Sequence, residues 1–152
     1  MGKNRPIFTI LLFCFATALW GKTIEVCPNC EVKTITNGIA LAVDYDTLLI
    51  KKGVYKEFNI VIDKPLTLIG QGFPVVDGEE QGEIITIISD NVTVDGLFLI
   101  NVGTSYTTDY AAIRVVKSKN FLIQNMVLEK LFFGIYLEKA QDGRIFHNSI
   151  VG

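Results

Sequence analysis

Histidine is almost absent from this sequence, and cysteine is scarce. The 152 residues include one histidine, His147, and three cysteines. Zinc and copper centres built from several imidazoles need more histidines than this, so multi-histidine sites are excluded within this segment. His147 lies in an expected strand, and we interpret it as a surface or hydrogen-bonded residue rather than as a copper ligand.

The sequence also lacks any run of lysine and arginine. It has 14 cationic and 16 anionic side chains, which give a formal net charge of −2. Removal of residues 1–18 would take away Lys3 and Arg5, so 12 cations would face 16 anions at a net charge of −4. A mildly acidic protein without a basic patch has no electrostatic footprint for nucleic acid.

No apolar run is long enough to cross a membrane. The longest, Ile7 to Trp20, has 14 residues, whereas a spanning helix needs about 20. It follows two basic residues and ends with an A-x-A pattern at Ala18, which is typical of a secretory signal peptide. We therefore predict a signal peptide over residues 1–18, with cleavage after Gly21 or an uncleaved anchor as alternatives. Residues 19–152 would then lie in an oxidising compartment.

Most of the remaining chain consists of short β-branched runs with alternating polarity. A turn-like residue recurs at Gly70, Gly96, Asn125 and Asn148, at intervals of 26, 29 and 23 residues. Repeats of this length are supersecondary units that bury their apolar faces only by stacking. The period of two indicates strands. The pattern therefore predicts an all-β protein, a right-handed parallel β-helix with coils over about 47–152, in which Asn125 and Asn148 stack and hydrogen-bond to one another.

A single helical pattern precedes these coils. Ile35, Ile39 and Val43 recur every four residues, which predicts a short amphipathic helix over about 34–43. The open end of a β-helix exposes unpaired strand edges. We expect this helix to cap that end, although an ordinary surface helix is the alternative.

The spacing C-x-x-C at Cys27 and Cys30 is the sharpest chemical motif. Export and an even cysteine count after loss of Cys14 favour a structural disulfide. Two thiolates at this spacing also suit a soft metal ion, copper(I) in particular. A redox role is the third possibility, because a helix is predicted to begin a few residues later.

Residues 103–110 interrupt the repeat and predict a loop that leaves one corner of the solenoid. Insertions of this kind usually gather on the binding face. Tyr106, Asp109 and Tyr110 are therefore the candidate partner-binding residues. The alternative is a polar turn whose tyrosines pack against the outer wall of the coils.

We predict no catalytic residues in this segment. Enzymes that cleave polysaccharides on β-helices need clustered carboxylates, often with a basic residue. Asp77, Asp95 and Glu138 fall in different units, and Arg114 and Lys117 have no evident carboxylate partner in the sequence. The chain ends one turn after His147 without a terminal cap, so we expect it to be a fragment of a longer protein.

Four segments carry a family resemblance: GVYKEFNIVIDKPLTLIG (53–70), VVDGEEQGEIITI (75–87), GTSYTTDYAAIRVVKSKNF (103–121) and LEKLFFGIYLEKA (128–140). With them, residues 24–152 resemble the N-terminal part of the NosD family. These are periplasmic maturation proteins of nitrous oxide reductase with a CASH-type parallel β-helix, commonly described as copper-binding. The resemblance implies a periplasmic accessory protein that helps to assemble a copper–sulfur cluster. Its implied partners are the reductase and an ABC transporter.

The resemblance leaves the site residues open. Cys27 and Cys30 precede the core of the shared region and inherit no role from it, and whether copper or sulfur is the cargo is undecided. A carbohydrate-active lyase, hydrolase or epimerase remains one alternative on a fold of this type. A non-catalytic surface-binding module that uses the 103–110 loop is the other.

Overall fold

The computed structural model of the protein describes residues 21–152, so the predicted signal peptide lies outside the described residues. The described part contains fifteen strands and one short helix. Their bounds are Thr23–Val26 (β1), Ile35–Leu41 (α1), Thr47–Ile50 (β2), Val54–Lys56 (β3), Ile60–Ile62 (β4), Thr67–Gly70 (β5), Val75–Asp77 (β6), Ile85–Ile87 (β7), Thr93–Asp95 (β8), Phe98–Ile100 (β9), Ala111–Val116 (β10), Leu122–Gln124 (β11), Val127–Glu129 (β12), Phe133–Glu138 (β13), Arg144–Phe146 (β14) and Ser149–Val151 (β15).

The strands form three parallel sheets that run along the stack. Sheet A has the order β1-β2-β5-β8-β11-β14, sheet B the order β3-β6-β9-β12-β15 and sheet C the order β4-β7-β10-β13. Each strand pairs with the strand of the same sheet in the next coil. This arrangement is a parallel β-helix, as the periodicity predicts.

Alternation along each short strand builds the core. In sheet A, Leu48, Leu68, Val94 and Ile123 lie in one column of register partners, and each is fully buried. Their neighbours along the strands point outward, because successive side chains of a strand face opposite sides of a sheet. The columns of the three sheets meet inside the stack and form one hydrophobic core.

Tight corners connect sheet A to sheet B. The residue after the strand takes a positive φ at Gly96 (73°), Asn125 (54°) and His147 (55°). The corner series therefore continues at His147, not at Asn148 as the sequence spacing suggested. Asn148 instead accepts a hydrogen bond from the Met126 amide, at 2.9 Å. The predicted bond between the two asparagines is thus wrong.

The helix α1 covers the first coil, as predicted for a cap. Ile35 and Ile39 are buried in the core, and Thr34 caps the helix by accepting a hydrogen bond from the Asn37 amide. Strand β1 was not predicted from the sequence; it precedes the helix and pairs with β2. The helix is therefore inserted between the first two strands of sheet A, and it contacts both of them.

The last coil has no covering element in the described chain. Strands β13, β14 and β15 pair on one side only. Leu137, Ile145 and Ile150 continue the inward-facing columns of Val115, Ile123 and Leu128, yet they remain 49%, 40% and 51% exposed. Within residues 21–152, no helix has the length and apolar character that a membrane crossing requires.

Candidate binding groove

A loop at the corner between sheets B and C distinguishes one coil from the next. The connection from β9 to β10 spans residues 101–110, whereas the equivalent connection from β12 to β13 spans only 130–132. The Gly103 amide donates to the carbonyl of Gly82 at 2.9 Å. A side chain at Gly103 would overlap the backbone of Gly82, so glycine is needed where the loop crosses the preceding coil.

The loop and the next coil enclose a groove of about 500 Å³, lined by Thr104, Ser105, Tyr106, Asp109 and Phe132. We call it the loop groove. The ring of Tyr106 is fully exposed and that of Phe132 is 49% exposed. Asp109, also exposed, is the single charged residue in this lining. The groove therefore combines two aromatic surfaces, the hydroxyls of Thr104, Ser105 and Tyr106, and one carboxylate.

Arg114 on β10 connects the loop to sheet C. Its Nη2 donates to the carbonyl of Asp109, and its Nε donates to Oε1 of Glu83. Its Nη1 lies 3.7 Å from Oε2 of Glu138. The expectation that Arg114 has no carboxylate partner is therefore wrong. Glu83 and Glu138 belong to the coils on either side and reach Arg114 only after stacking.

A row of aromatic rings leads from this arginine to the groove. The guanidinium of Arg114 lies 4.4 Å from the centre of the Tyr136 ring, which is its register partner on β13. The ring of Phe133 lies 6.0 Å from Tyr136, and Phe132 lies 4.8 Å from Phe133. The row therefore begins at the partly buried guanidinium of Arg114 and ends at Phe132, in the lining of the loop groove.

The three predicted loop residues separate into two roles. Tyr106 and Asp109 line the loop groove. Tyr110 is half-buried and packs against the hydrophobic core, which is the packing role expected of a loop tyrosine. The recognition role of these residues stays a prediction.

Arg114, Glu83 and Glu138 form a cluster, here called the Arg114 cluster, that positions the end of the loop. The side chains of Arg114 and Glu83 are only 15% and 11% exposed. Glu83 also accepts a hydrogen bond from the Thr86 hydroxyl, at 3.0 Å. Since Nε and Nη2 of Arg114 and both oxygens of Glu83 are engaged, the cluster holds the end of the loop against the sheet.

Two aspartates at the corners have structural partners. Asp95 accepts hydrogen bonds from the side-chain amides of Gln124 and Asn125 in the next coil, at 2.6 and 2.8 Å. Asp77 accepts from Asn101 at 2.8 Å. Burial raises the pKa of Asp77, but hydrogen bonds from Asn101 and the Glu79 amide, with the charges of Lys56 and Lys130, outweigh it and lower the pKa. Both side chains stabilise corners.

Cys27 and Cys30 are joined in a disulfide. The pair is half-buried and borders a groove of about 580 Å³ whose lining includes Cys30, Glu25 and Glu31. Disulfide sulfurs do not supply the thiolates that copper(I) needs, so this oxidised form does not fit a copper site. The metal and redox roles of the reduced pair stay predictions.

His147 is exposed at its corner, 5.0 Å from the ring of Phe146 in an edge-on contact. Among residues 21–152, no three histidine, cysteine or acidic side chains come together in a group able to hold a metal ion.

Comparison with known proteins agrees with the resemblance read from the sequence. No family model matches the chain. A probable ABC transporter binding protein NosD from Pseudomonas aeruginosa is 34% identical over 95 residues, which cover 62% of this chain. The chain is similar to NosD. It spans only 22% of the length of that relative, so the likeness concerns one part of a longer protein.

Solved structures support the fold. Two structures of pectin methylesterase, each in complex with a hexasaccharide, superpose with a TM-score of 0.63. They are 21% identical to this chain and cover 80% of it and 48% of the esterase. At this identity the likeness shows a shared parallel β-helix and carries no statement about substrate.

Proposed function

We propose that this chain is the N-terminal part of a NosD-like accessory protein that assists the maturation of nitrous oxide reductase. The observation that carries the proposal is the 34% identity to NosD over 95 residues. The β-helix supports it, because a long stacked surface of this type suits the docking of other proteins.

Export to the periplasm and work beside an ABC transporter form part of the same proposal. The N-terminal sequence supports export through its basic region, its 14-residue apolar run and its A-x-A pattern. The similarity to a probable ABC transporter binding protein supports a transporter as partner. The copper–sulfur cluster of the reductase would be the cargo of the process, and the described residues are not proposed to keep copper.

An assembly role agrees better with the Arg114 cluster than turnover of a carbohydrate does. A lyase or hydrolase needs an acid and a base that are free to exchange protons with a substrate. Here Glu83 is bound to Arg114 and Thr86, and the Arg114 guanidinium is bound to the backbone carbonyl of Asp109. The carbohydrate-active alternative is therefore not favoured.

The test is deletion of the complete gene in a denitrifying host that encodes the reductase. We expect nitrous oxide to accumulate, and the reductase to be exported in normal amount without its copper–sulfur cluster. Copper content and visible spectrum of the purified reductase measure this directly. Restoration by the complete gene is the control. A reductase that carries its full cluster in the deletion strain would overturn the proposal.

A further inference from the structure

We propose that the loop groove binds a lysine or arginine side chain of an extended segment in a partner protein. The cation would lie against the rings of Tyr106 and Phe132 and pair with the carboxylate of Asp109. The inference goes beyond the maturation role and stands on the groove alone.

The first argument is that the chain already holds one guanidinium in this manner. Arg114 lies 4.4 Å from the centre of the Tyr136 ring and pairs with Glu83 and Glu138. An aromatic face with adjacent carboxylates is a favourable environment for a cation. The contacts of Arg114 show that the outer face of sheet C accommodates a cation between an aromatic ring and carboxylates.

The second argument is that the same chemistry is repeated, open to solvent, at the other end of the aromatic row. Phe132 contacts Phe133, which contacts Tyr136, and the fully exposed Tyr106 belongs to the same groove lining as Phe132. The backbone carbonyl of Asp109 is fixed by Arg114. A site with its residues held in place loses less entropy when a ligand binds.

Charge decides the sign of the ligand. Asp109 is the single charged residue that lines the groove, and residues 19–152 carry 12 cations against 16 anions. An anionic ligand would be repelled, whereas a cation gains both the carboxylate and the negative faces of the rings. The hydroxyl of Thr104 lies in the same lining and can hydrogen-bond to the backbone of an extended peptide, whereas the Ser105 hydroxyl already accepts hydrogen bonds from the backbone amides of Thr107 and Thr108.

The experiment uses the mature protein and a fluorescein-labelled peptide, Gly-Ser-Lys-Gly-Arg-Gly-Ser. Fluorescence anisotropy at an ionic strength of about 50 mM keeps screening low. We expect saturable binding that weakens as salt rises. The matched probe replaces lysine with norleucine and arginine with citrulline, which removes both charges at similar length, and we expect it not to bind.

Variants of the groove locate the site. Tyr106→Ala and Asp109→Asn should each weaken binding at least fivefold. Both residues are exposed, so the fold is expected to persist, and circular dichroism checks this. Phe73→Ala and Asp63→Asn change an exposed aromatic ring and an exposed carboxylate elsewhere and should leave affinity unchanged.

Three results would overturn the inference: equal binding of the charged and neutral peptides, no binding of either, or unchanged affinity in both groove variants. Binding of a uronate or a neutral oligosaccharide in the groove, without binding of the basic peptide, would also overturn the inference and indicate a carbohydrate ligand. Because the measurement uses purified protein, its failure is separate from failure of the deletion experiment. A strain with normal reductase and a protein that still binds the basic peptide would remove only the maturation role.

Discussion

A single carboxylate fixes the capping helix to the stack. Glu57 is buried and accepts hydrogen bonds from the amides of Ile35 and Thr36, at 2.7 and 3.0 Å, and from the Thr36 hydroxyl at 2.8 Å. At the other end, Lys64 donates to the carbonyls of Ile39 and Ala42 at 2.7 and 2.9 Å. An anion at the start of a helix and a cation at its end both complement the helix dipole.

Glu57→Gln should lower the free energy of unfolding by about 1–2 kcal/mol, because the amide leaves one fewer oxygen for these donors and removes the charge. Urea unfolding followed by circular dichroism measures the effect. Glu80→Gln is the matched control, since Glu80 is exposed. Equal stability of the two variants would contradict a capping role for Glu57.

The lowered pKa of Asp77 makes one corner sensitive to acid. A carboxylate whose pKa is lower in the folded state stabilises the fold above its unfolded pKa of about 4, and this contribution is lost as pH falls through the folded pKa. At pH 7 the wild type should therefore be more stable than Asp77→Asn.

Urea midpoints at neutral pH and at a series of values below pH 4 test this. The difference between wild type and Asp77→Asn should shrink toward zero in the acid series. A difference that is constant across that series would show that the ionisation of Asp77 does not contribute.

At the scale of elements, the short strands and the cap were predictable because they follow local rules. Alternating β-branched residues predict strands, and a four-residue apolar repeat predicts the helix. Strand β1 was missed because Thr23–Val26 has only four residues and precedes the helix. Its role depends on pairing with β2 across that insertion, which no local pattern encodes.

The candidate site was only partly predictable for the same reason. The interrupted repeat identified the loop that carries Tyr106 and Asp109. The pairing of Arg114 with Glu83 joins residues 31 apart, and it depends on how many residues each coil uses. Corner lengths vary from coil to coil, so which side chains share a column becomes clear only from the stacked structure. The same variation explains why the third corner residue is His147 and not Asn148, which the sequence spacing had suggested.

The disulfide constrains the loop before the helix, and its removal tests the copper prediction. Cys27→Ser/Cys30→Ser should cost about 2 kcal/mol of unfolding free energy, as expected for a very short closed loop.

Copper(I) titration against a colorimetric chelator should show no tight binding to the oxidised protein. Tight binding by the reduced wild type and none by the double variant would instead establish the pair as a copper ligand set.

At the scale of the whole molecule, the two ends of the solenoid differ. The first coil is covered by α1, whereas the last leaves strand edges unpaired in the described chain and exposes apolar side chains of the inward columns. Unpaired edges with apolar surface promote association between chains. We therefore expect residues 19–152, produced alone, to self-associate in a concentration-dependent way through β13, β14 and β15.

Sedimentation velocity over a range of concentrations measures this association. Ile150, which is 51% exposed, continues an inward-facing column in the last coil. Ile150→Lys places a charge there and should shift the chain toward monomer. Val54→Lys, at a side chain 61% exposed in β3 of an early coil, should not. If both variants associate like the wild type, the open coil is not the contact. Dissociation caused by Val54→Lys alone would instead place the contact on the outer face of sheet B.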